Sequence, residues 1–247
     1  YLSKMENAAI IDVGGTTTDV GIVQKGFPRK SSVAVTIGGV RTNFRMPDII
    51  SIGLGGGSIV REVDGQVTVG PDSVGYEITK RAKVFGGDVL TATDVAVRCG
   101  LVKDVGDPAL VADVDAGLAE RALAKIAEMV EDAIDTMKVS SGDVDVVLVG
   151  GGSIILPENL AGASSVAKPE PFATANAIGS AISKVGGTYE RLTSYDETPR
   201  DQALAQTQKE ATERANTDGA TPGTVEIVDM EDVPLAYHPG NTCRVKI

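Results

Sequence analysis

The sequence is poor in the residues that several kinds of functional site require. Its 247 residues include no Trp, only 4% aromatic residues and a single histidine, His238. Scarce aromatics argue against base-stacking surfaces for nucleic acid, and one histidine argues against a histidine-ligated metal centre or a Ser-His-Asp triad. The two cysteines, Cys99 and Cys243, lie far apart without metal-ligand spacing, so we interpret them as reduced thiols.

Positive charge and long apolar segments are also lacking. The net charge is −11 and the basic residues form no stripe, which argues against a protein that follows the phosphates of DNA or RNA. No apolar run reaches the roughly 18 residues that a membrane-spanning helix needs, and we find no signal peptide. We therefore expect a cytoplasmic protein without nucleic-acid or membrane partners. Backbone amides and a metal ion would have to hold any bound nucleotide.

The predicted elements begin with strands and then alternate between helices and strands. Asp64-Gly65 is a strong two-residue turn signal, and it predicts a hairpin of residues 59–63 with residues 66–69. The other predicted segments are strands at 8–12, 20–23, 32–37, 144–149, 165–167, 224–228 and 242–247, and helices at 93–99, 112–137, 172–184 and 199–215. This alternation predicts a layered α/β fold.

The segment Asp12-Val-Gly-Gly-Thr-Thr-Thr-Asp19 follows the first predicted strand. Glycines after a strand let the backbone turn tightly and bring its amides against an anion, and threonine hydroxyls can bond phosphate oxygens. The predicted phosphate contacts are Gly14, Gly15, Thr16, Thr17 and Thr18. A carboxylate at a strand end can bind Mg²⁺ or orient a water molecule, so Asp12 is a candidate catalytic residue and Asp12 and Asp19 are candidate metal ligands. The structural alternative is a hairpin closed by Gly-Gly and capped by Asp12.

A second glycine-rich segment, Val149-Gly-Gly-Gly-Ser153, ends the strand predicted at 144–149. Three glycines after an apolar strand leave room for the ring and ribose of a nucleoside, although a strand-to-helix turn also uses glycine. The predicted nucleoside contacts are Gly150, Gly151, Gly152 and Ser153. Neither segment has the Gly-Lys-Ser/Thr ending of a Walker A loop or the Rossmann Gly-x-Gly-x-x-Gly pattern with its acidic partner. Their order and spacing resemble the second phosphate loop and the adenosine loop of the actin, Hsp70 and sugar-kinase superfamily.

Three further segments stand in order between these two. They are Ile52-Gly-Leu-Gly-Gly-Gly-Ser-Ile59, Val69-Gly-Pro-Asp-Ser-Val-Gly75 and Thr91-Ala-Thr-Asp-Val95. After Asp-Val-Gly-Gly-Thr-Thr-Thr-Asp, this succession resembles the hydantoinase A, 5-oxoprolinase and acetone carboxylase β-subunit family over about residues 8–185. Large members of that family carry Pro-Gly-Pro-Ala-Cys-Tyr-Gly after the second of these segments, where this chain has a different sequence, so the substrate stays open.

The resemblance implies a division of the chain. Residues 1–188 are expected to form a ribonuclease-H-like ATPase lobe with a β-rich insertion at about 40–90, and residues 189–247 a small α+β extension. This lobe has one phosphate loop followed by one adenosine loop, which is the pattern of the second of two lobes. The first lobe is therefore expected upstream of Tyr1.

The intervening segments also supply candidate residues for the substrate side of the cleft. Gly55, Gly56, Gly57 and Ser58 are interpreted as a second anion-facing loop or as a simple strand connection. Asp72 and Ser73 either line the substrate side or form a turn. Asp94 is either a catalytic acid/base or metal-linked carboxylate, or a residue whose charge suits the first turn of a helix.

The resemblance further implies a reaction that depends on ATP and Mg²⁺. The γ-phosphoryl group would pass to the carbonyl oxygen of a cyclic amide such as hydantoin or 5-oxoproline, and water would then open the ring. An ATP-dependent ketone carboxylase subunit, a small-molecule kinase and a non-enzymatic ATP-gated regulatory lobe stay open as alternatives. The expected partners are a small cyclic amide or ketone, a hydantoinase B-type subunit and further copies of the chain. The chain alone is expected to bind ATP weakly and to turn over almost nothing.

Overall fold

The computed structural model describes residues 2–31, 36–37, 40–41, 46–139 and 141–247. The chain forms two compact units, Tyr1–Ile178 and Gly179–Ile247, and each is described by itself below. The predicted domain boundary, after residue 188, stays a prediction. Most of the strand predicted at 32–37 lies outside the described residues.

The first unit contains ten strands and four α-helices among its described residues, together with several 3₁₀ turns. Its strands are β1 (Ala8–Val13), β2 (Thr18–Gln24), β3 (Phe27–Pro28), β4 (Thr36–Ile37), β5 (Val40–Arg41), β6 (Ile49–Ile52), β7 (Ser58–Val63), β8 (Gln66–Ser73), β9 (Val144–Val149) and β10 (Ala163–Ala167). Its helices are α1 (Ile78–Arg81), α2 (Ala92–Arg98), α3 (Ala116–Met137) and α4 (Ala175–Ile182), of which the last crosses the boundary between the units. The 3₁₀ turns are Gly75–Glu77, Lys83–Phe85, Pro108–Val111, Gly151–Ile155 and Phe172–Thr174.

A mixed sheet forms the centre of the first unit and confirms the predicted α/β class. Its strand order is β10-β9-β1-β2-β3, and β6 also pairs with β2. β1 and β2 form an antiparallel hairpin, whereas β9 runs parallel to β1 and β10 parallel to β9. The register sets Asp12 opposite Asp19 on β2 and opposite Val149 on β9. The two glycine-rich segments therefore leave the sheet at the same edge.

Helix α3 covers this sheet with the apolar stripe that its sequence predicts. The buried residues of the helix recur at three- and four-residue steps, and those from Ala122 to Met137 belong to the same core as Ile11, Val13 and Val20 of the sheet. Burying each of the larger side chains among them, such as Ile126 or Val130, contributes about 1.5–3 kcal/mol. The helix begins four residues later than predicted because Asp115 caps it, accepting a hydrogen bond from Leu118 N at 2.8 Å. No helix of the described residues is both long enough and apolar enough to cross a membrane.

The predicted hairpin around Asp64-Gly65 is confirmed as β7 and β8. Both turn residues have positive φ, 52° for Asp64 and 76° for Gly65, as the tight turn requires. Among the described residues, β4 and β5 pair only with each other, and residues 36–37 are not part of the central sheet. In the central sheet, β6 pairs with β2.

The second unit combines a three-stranded antiparallel sheet with one long helix. Its elements are β11 (Glu190–Ser194), α5 (Arg200–Thr217), β12 (Glu231–Pro234) and β13 (Thr242–Lys246). The strand order is β11-β13-β12. The strand predicted at 224–228 is wrong, and β11 was not predicted. β13 pairs with β11 on one side and with β12 on the other, and residues 224–228 pair with no strand among the described residues.

A polar cluster in the second unit joins β12 to the start of α5. Tyr195 Oη donates to Asp232 Oδ1 at 2.7 Å, and Arg200 Nε donates to Asp232 Oδ2 at 2.7 Å. Burial alone would raise the pKa of Asp232, but these two hydrogen bonds and the Arg200 charge outweigh it and lower that pKa. Burial, followed by the hydrogen bond to Asp232 and its negative charge, raises the pKa of Tyr195 to about 12. The cluster therefore stabilises the unit only within a pH window.

Tyr195→Phe is expected to reduce the loss of stability at the alkaline limit of that window. Because folding favours neutral Tyr195, its contribution is complete below the unfolded pKa of about 10. The contribution is lost as the pH rises toward the folded pKa of about 12. Asp232 has the opposite pH dependence: its contribution to stability is complete above the unfolded pKa of about 3.9 and is lost as the pH falls below it.

Urea unfolding followed by circular dichroism, at pH values across both limits, measures these effects. Tyr237→Phe is the control, because Tyr237 is fully exposed. Equal alkaline losses in the unaltered chain and Tyr195→Phe would contradict the prediction.

Candidate functional site

The turn between β1 and β2 presents a run of backbone amides to solvent. Gly14 N donates to Thr17 O at 2.8 Å and closes the turn, and Gly15, Thr16 and Thr17 are exposed. The amides of Gly15, Thr16 and Thr17 donate to no oxygen of the residues that the structure describes. Consecutive unpaired amides form a concave site for anions. The phosphate turn, residues 14–17, therefore has the groups that phosphate binding needs, although the Gly14 amide itself is already used.

Thr18 faces the interior instead. Its side chain is fully buried, and its Oγ1 donates to Leu54 O at 2.7 Å. The hydroxyl thus connects β2 with the glycine-rich loop that follows β6. The phosphate contact predicted for Thr18 does not match this placement, whereas Gly15, Thr16 and Thr17 are exposed.

Two carboxylates flank the phosphate turn on one face of the sheet. Asp12 and Asp19 are directly opposite each other on β1 and β2, so their side chains project from the same face. Asn176 Nδ2 donates to Asp12 Oδ2 at 3.1 Å, and Ser51 Oγ donates to Asp19 Oδ1. No group of three or more His, Cys, Asp or Glu suited to a metal occurs within the described part of the chain. Mg²⁺ commonly uses one or two carboxylates together with water and phosphate oxygens, so this pair fits it.

The loop at residues 55–58 supports the phosphate turn from the protein side. Gly56 N donates to Gly14 O at 3.0 Å, and Gly57 N donates to Gly15 O at 2.7 Å. All four residues of the loop are buried. Their placement matches the second interpretation of this segment, a connection between strands, rather than an anion-facing loop. The connection also fixes the backbone of the phosphate turn.

The glycines after β9 pack against the same turn. A Cβ atom at Gly150 would collide with Val13 O and with Asp12 Oδ1, and Gly150 has a φ of 84°. A Cβ atom at Gly152 would collide with Gly14 O. The close approach of the main chain around residues 13 and 14 therefore explains why both positions are glycine, without any ligand.

Gly151 and Ser153 differ in what they offer to a nucleoside. Gly151 is exposed, and a Cβ atom there would have no heavy atom within 4 Å. Ser153 is buried, and its Oγ has no hydrogen-bond partner among the described residues. Of the four predicted nucleoside contacts, Gly151 is thus the one whose position is open, while the Ser153 hydroxyl lies inside the protein.

Asp94 is enclosed in the first turn of α2. Its side chain is fully buried, and it accepts hydrogen bonds from Val84 N at 2.7 Å, Thr91 N at 2.7 Å and Thr91 Oγ1 at 2.8 Å. Thr91 and Asp94 form a capping box. This is the helix-capping alternative to a catalytic role, and we leave Asp94 out of the proposed catalytic residues.

Asp94→Asn is expected to lower the free energy of unfolding by about 2 kcal/mol, because hydrogen bonds to a buried charged group contribute about 1.5–3 kcal/mol. The amide side chain keeps the shape but loses one acceptor and the charge. Urea unfolding measures the loss, and nucleotide affinity per folded molecule should stay unchanged. A stable variant with impaired nucleotide binding would instead favour the catalytic interpretation.

The end of β8 brings Ser73 to the phosphate turn. Ser73 Oγ donates to Gly15 O at 3.4 Å and accepts from Gly75 N at 3.1 Å. Asp72, its neighbour, is exposed and forms an ion pair with Arg61 at 2.9 Å. Both residues lie at the end of a strand rather than in a turn. Of this predicted pair, Ser73 contacts the candidate site and Asp72 pairs with the adjacent strand.

Ser51 and Asn176 contact the two carboxylates, yet neither was selected from the sequence. Ser51 stands opposite Asp19 in the pairing of β6 with β2, and only that pairing reveals the contact. Asn176 is 164 positions from Asp12 along the chain. No local pattern predicts a contact at that separation.

The fold and the clustered loops define an α/β protein with a candidate nucleotide site at one edge of its sheet. The chain belongs to the hydantoinase/oxoprolinase family, because the model of that family matches residues 1–147. This confirms the resemblance. No curated protein sequence matches the chain.

Several solved structures match the fold, and two of them are compared with the chain. One is a nucleotide-free acetone carboxylase, described with the mechanism of ATP-dependent acetone carboxylation, with a TM-score of 0.65, 19% identity and coverage of 98% of this chain and 40% of that chain. The other is an ATP-dependent caprolactamase from Pseudomonas jessenii, with a TM-score of 0.63, 19% identity and coverage of 99% of this chain and 40% of that chain. The chain thus spans 40% of the length of both structures.

Proposed function

We propose that the chain is a ribonuclease-H-like lobe of an ATP-dependent enzyme that activates the carbonyl group of a small cyclic amide. The observation that carries the proposal is the run of amides at Gly15, Thr16 and Thr17, which donate to no residue in the described part of the chain and lie beside the carboxylates of Asp12 and Asp19. Family membership supports it, as does a fold like that of an ATP-dependent caprolactamase.

The residues divide the work of holding a magnesium nucleotide. The amides of the phosphate turn would bind phosphate oxygens, and Asp12 and Asp19 would bind Mg²⁺. Gly151 leaves the nucleoside side open. ATP, when bound, supplies the phosphoryl group that activates the carbonyl oxygen. A net charge of −11 gives no general attraction for a nucleotide, so these local groups must provide the affinity.

We further propose that a second lobe, outside this chain, completes the site. The phosphate turn is exposed, and the chain spans only 40% of the acetone carboxylase and of the caprolactamase structures. The isolated chain should then bind ATP weakly and hydrolyse almost none. Turnover by the isolated chain near that of an intact enzyme would contradict this. The same proposal includes a hydantoinase B-type subunit as a partner of the longer enzyme and association of the chain with further copies of itself.

A ketone carboxylase subunit is the second candidate, because the acetone carboxylase structure is as similar as the caprolactamase. Phosphate release by the longer enzyme should be measured with hydantoin, 5-oxoproline, a lactam, a ketone with bicarbonate, and a sugar. Stimulation with ring opening supports the main proposal, and carboxylation of the ketone supports the second candidate. A stable phosphorylated product would indicate a kinase, and hydrolysis independent of every substrate would indicate a regulatory lobe.

A further inference from the structure

The Asp12 carboxylate is held by segments that are distant in the sequence. Its Oδ2 accepts a hydrogen bond from Asn176 Nδ2 at 3.1 Å. Its Oδ1 lies against Gly150, where a Cβ atom would collide with it. Asp12 is only half-buried, so packing alone leaves its side chain with rotational freedom. Asn176 and Gly150 together restrict that freedom.

The main chain anchors Asn176 in this position. Gly150 N donates to Phe172 O at 2.9 Å, which ties the 3₁₀ turn before α4 to the glycine-rich loop. Asn176 follows in the first turn of α4. One backbone hydrogen bond therefore connects the segment that carries Asn176 with Gly150, and both residues contact Asp12.

We propose that Asn176 is a positioning residue for the metal site: it holds Asp12 Oδ2 and so fixes the orientation of the carboxylate that binds a divalent cation. The inference rests on the proposed function, since it takes Asp12 as a Mg²⁺ ligand. An amide is suited to this task because it donates a hydrogen bond without a charge. A lysine at this position would compete with the cation for Asp12, and an aspartate would repel the Asp12 carboxylate. Residues that orient metal ligands typically change metal affinity about 10- to 100-fold when they are removed.

Manganese binding to the 247-residue chain tests this role, because electron paramagnetic resonance counts free Mn²⁺ directly and the Mn²⁺ bound by the same concentration of ATP alone can be subtracted. In the presence of ATP, Asn176→Ala is expected to weaken Mn²⁺ binding about 10- to 100-fold. ATP affinity without metal should stay within about twofold, because the amides of the phosphate turn are unchanged. Asn159→Ala, at an exposed asparagine away from the phosphate turn, is the matched control. Circular dichroism verifies that each variant is folded.

A double-mutant cycle separates positioning from a general structural effect. In an Asp12→Asn background, Asn176→Ala should add no further loss of Mn²⁺ affinity. An unchanged Mn²⁺ affinity of Asn176→Ala, an equal loss in the Asp12→Asn background, or an equal loss of metal-free ATP affinity would each overturn the inference. If Mn²⁺ does not strengthen ATP binding to the unaltered chain, the proposed metal site itself fails, and the inference fails with it.

Discussion

Replacing Gly152 with alanine is expected to destabilise the first unit by about 3 kcal/mol, which is the upper range for overpacking a rigid site. The added Cβ atom would collide with Gly14 O and would lie 2.9 Å from Val13 Cγ1. Both neighbours belong to the hairpin that carries the phosphate turn, and a main-chain oxygen cannot move aside without shifting that hairpin. Urea unfolding followed by circular dichroism measures the loss.

Gly151→Ala provides a matched control one residue away. A Cβ atom there meets nothing within 4 Å, so the change in stability should stay within about 0.5 kcal/mol. The same variant tests the predicted nucleoside contact, because its methyl group would stand where the ring or ribose should lie. Weaker ATP binding with unchanged stability would support that contact. Equal stabilities of the Gly151 and Gly152 variants would contradict the packing that we describe.

The central elements could be predicted because their signals are local. The apolar run of β9, the three- and four-residue spacing in α3 and the Asp64-Gly65 turn each encode one element without distant partners. The clustering of carboxylates beside the phosphate turn also follows from local sequence. Asp12 and Asp19 end and begin two strands of one hairpin, so the hairpin register brings them together.

The direction of Thr18 could have been predicted, whereas the roles of Asp94 and of the glycines at 150 and 152 could not. Thr18 has the same parity on β2 as the buried Val20, so strand alternation would have turned its hydroxyl inward. Asp94 was ambiguous because one of its donors, Val84 N, comes from ten residues upstream. The glycines at 150 and 152 suggested space for a ligand, whereas they are required because another loop packs on them. Such packing depends on the complete fold.

Replacing Asp12 with asparagine is expected to lower the kcat of the longer enzyme about 10²- to 10⁴-fold, the usual range for a group that acts directly on the reaction. The amide keeps the volume and one acceptor oxygen but removes the negative charge that a divalent cation needs. In the 247-residue chain, the same change should abolish the strengthening of ATP binding by Mg²⁺. Steady-state phosphate release and calorimetric titration with and without Mg²⁺ measure the two effects.

The comparison of these two measurements also decides what Asp12 does. If Asp12 binds the cation, both kcat and the Mg²⁺-dependent part of the ATP affinity fall. If it only orients a water molecule, kcat falls while Mg²⁺ still strengthens ATP binding. Asp145→Asn is the matched control, since Asp145 lies on the adjacent strand β9 and accepts hydrogen bonds from Ser164 and Ser165 instead. A kcat within about twofold of the unaltered enzyme in Asp12→Asn would contradict both roles, because neither survives the loss of the carboxylate.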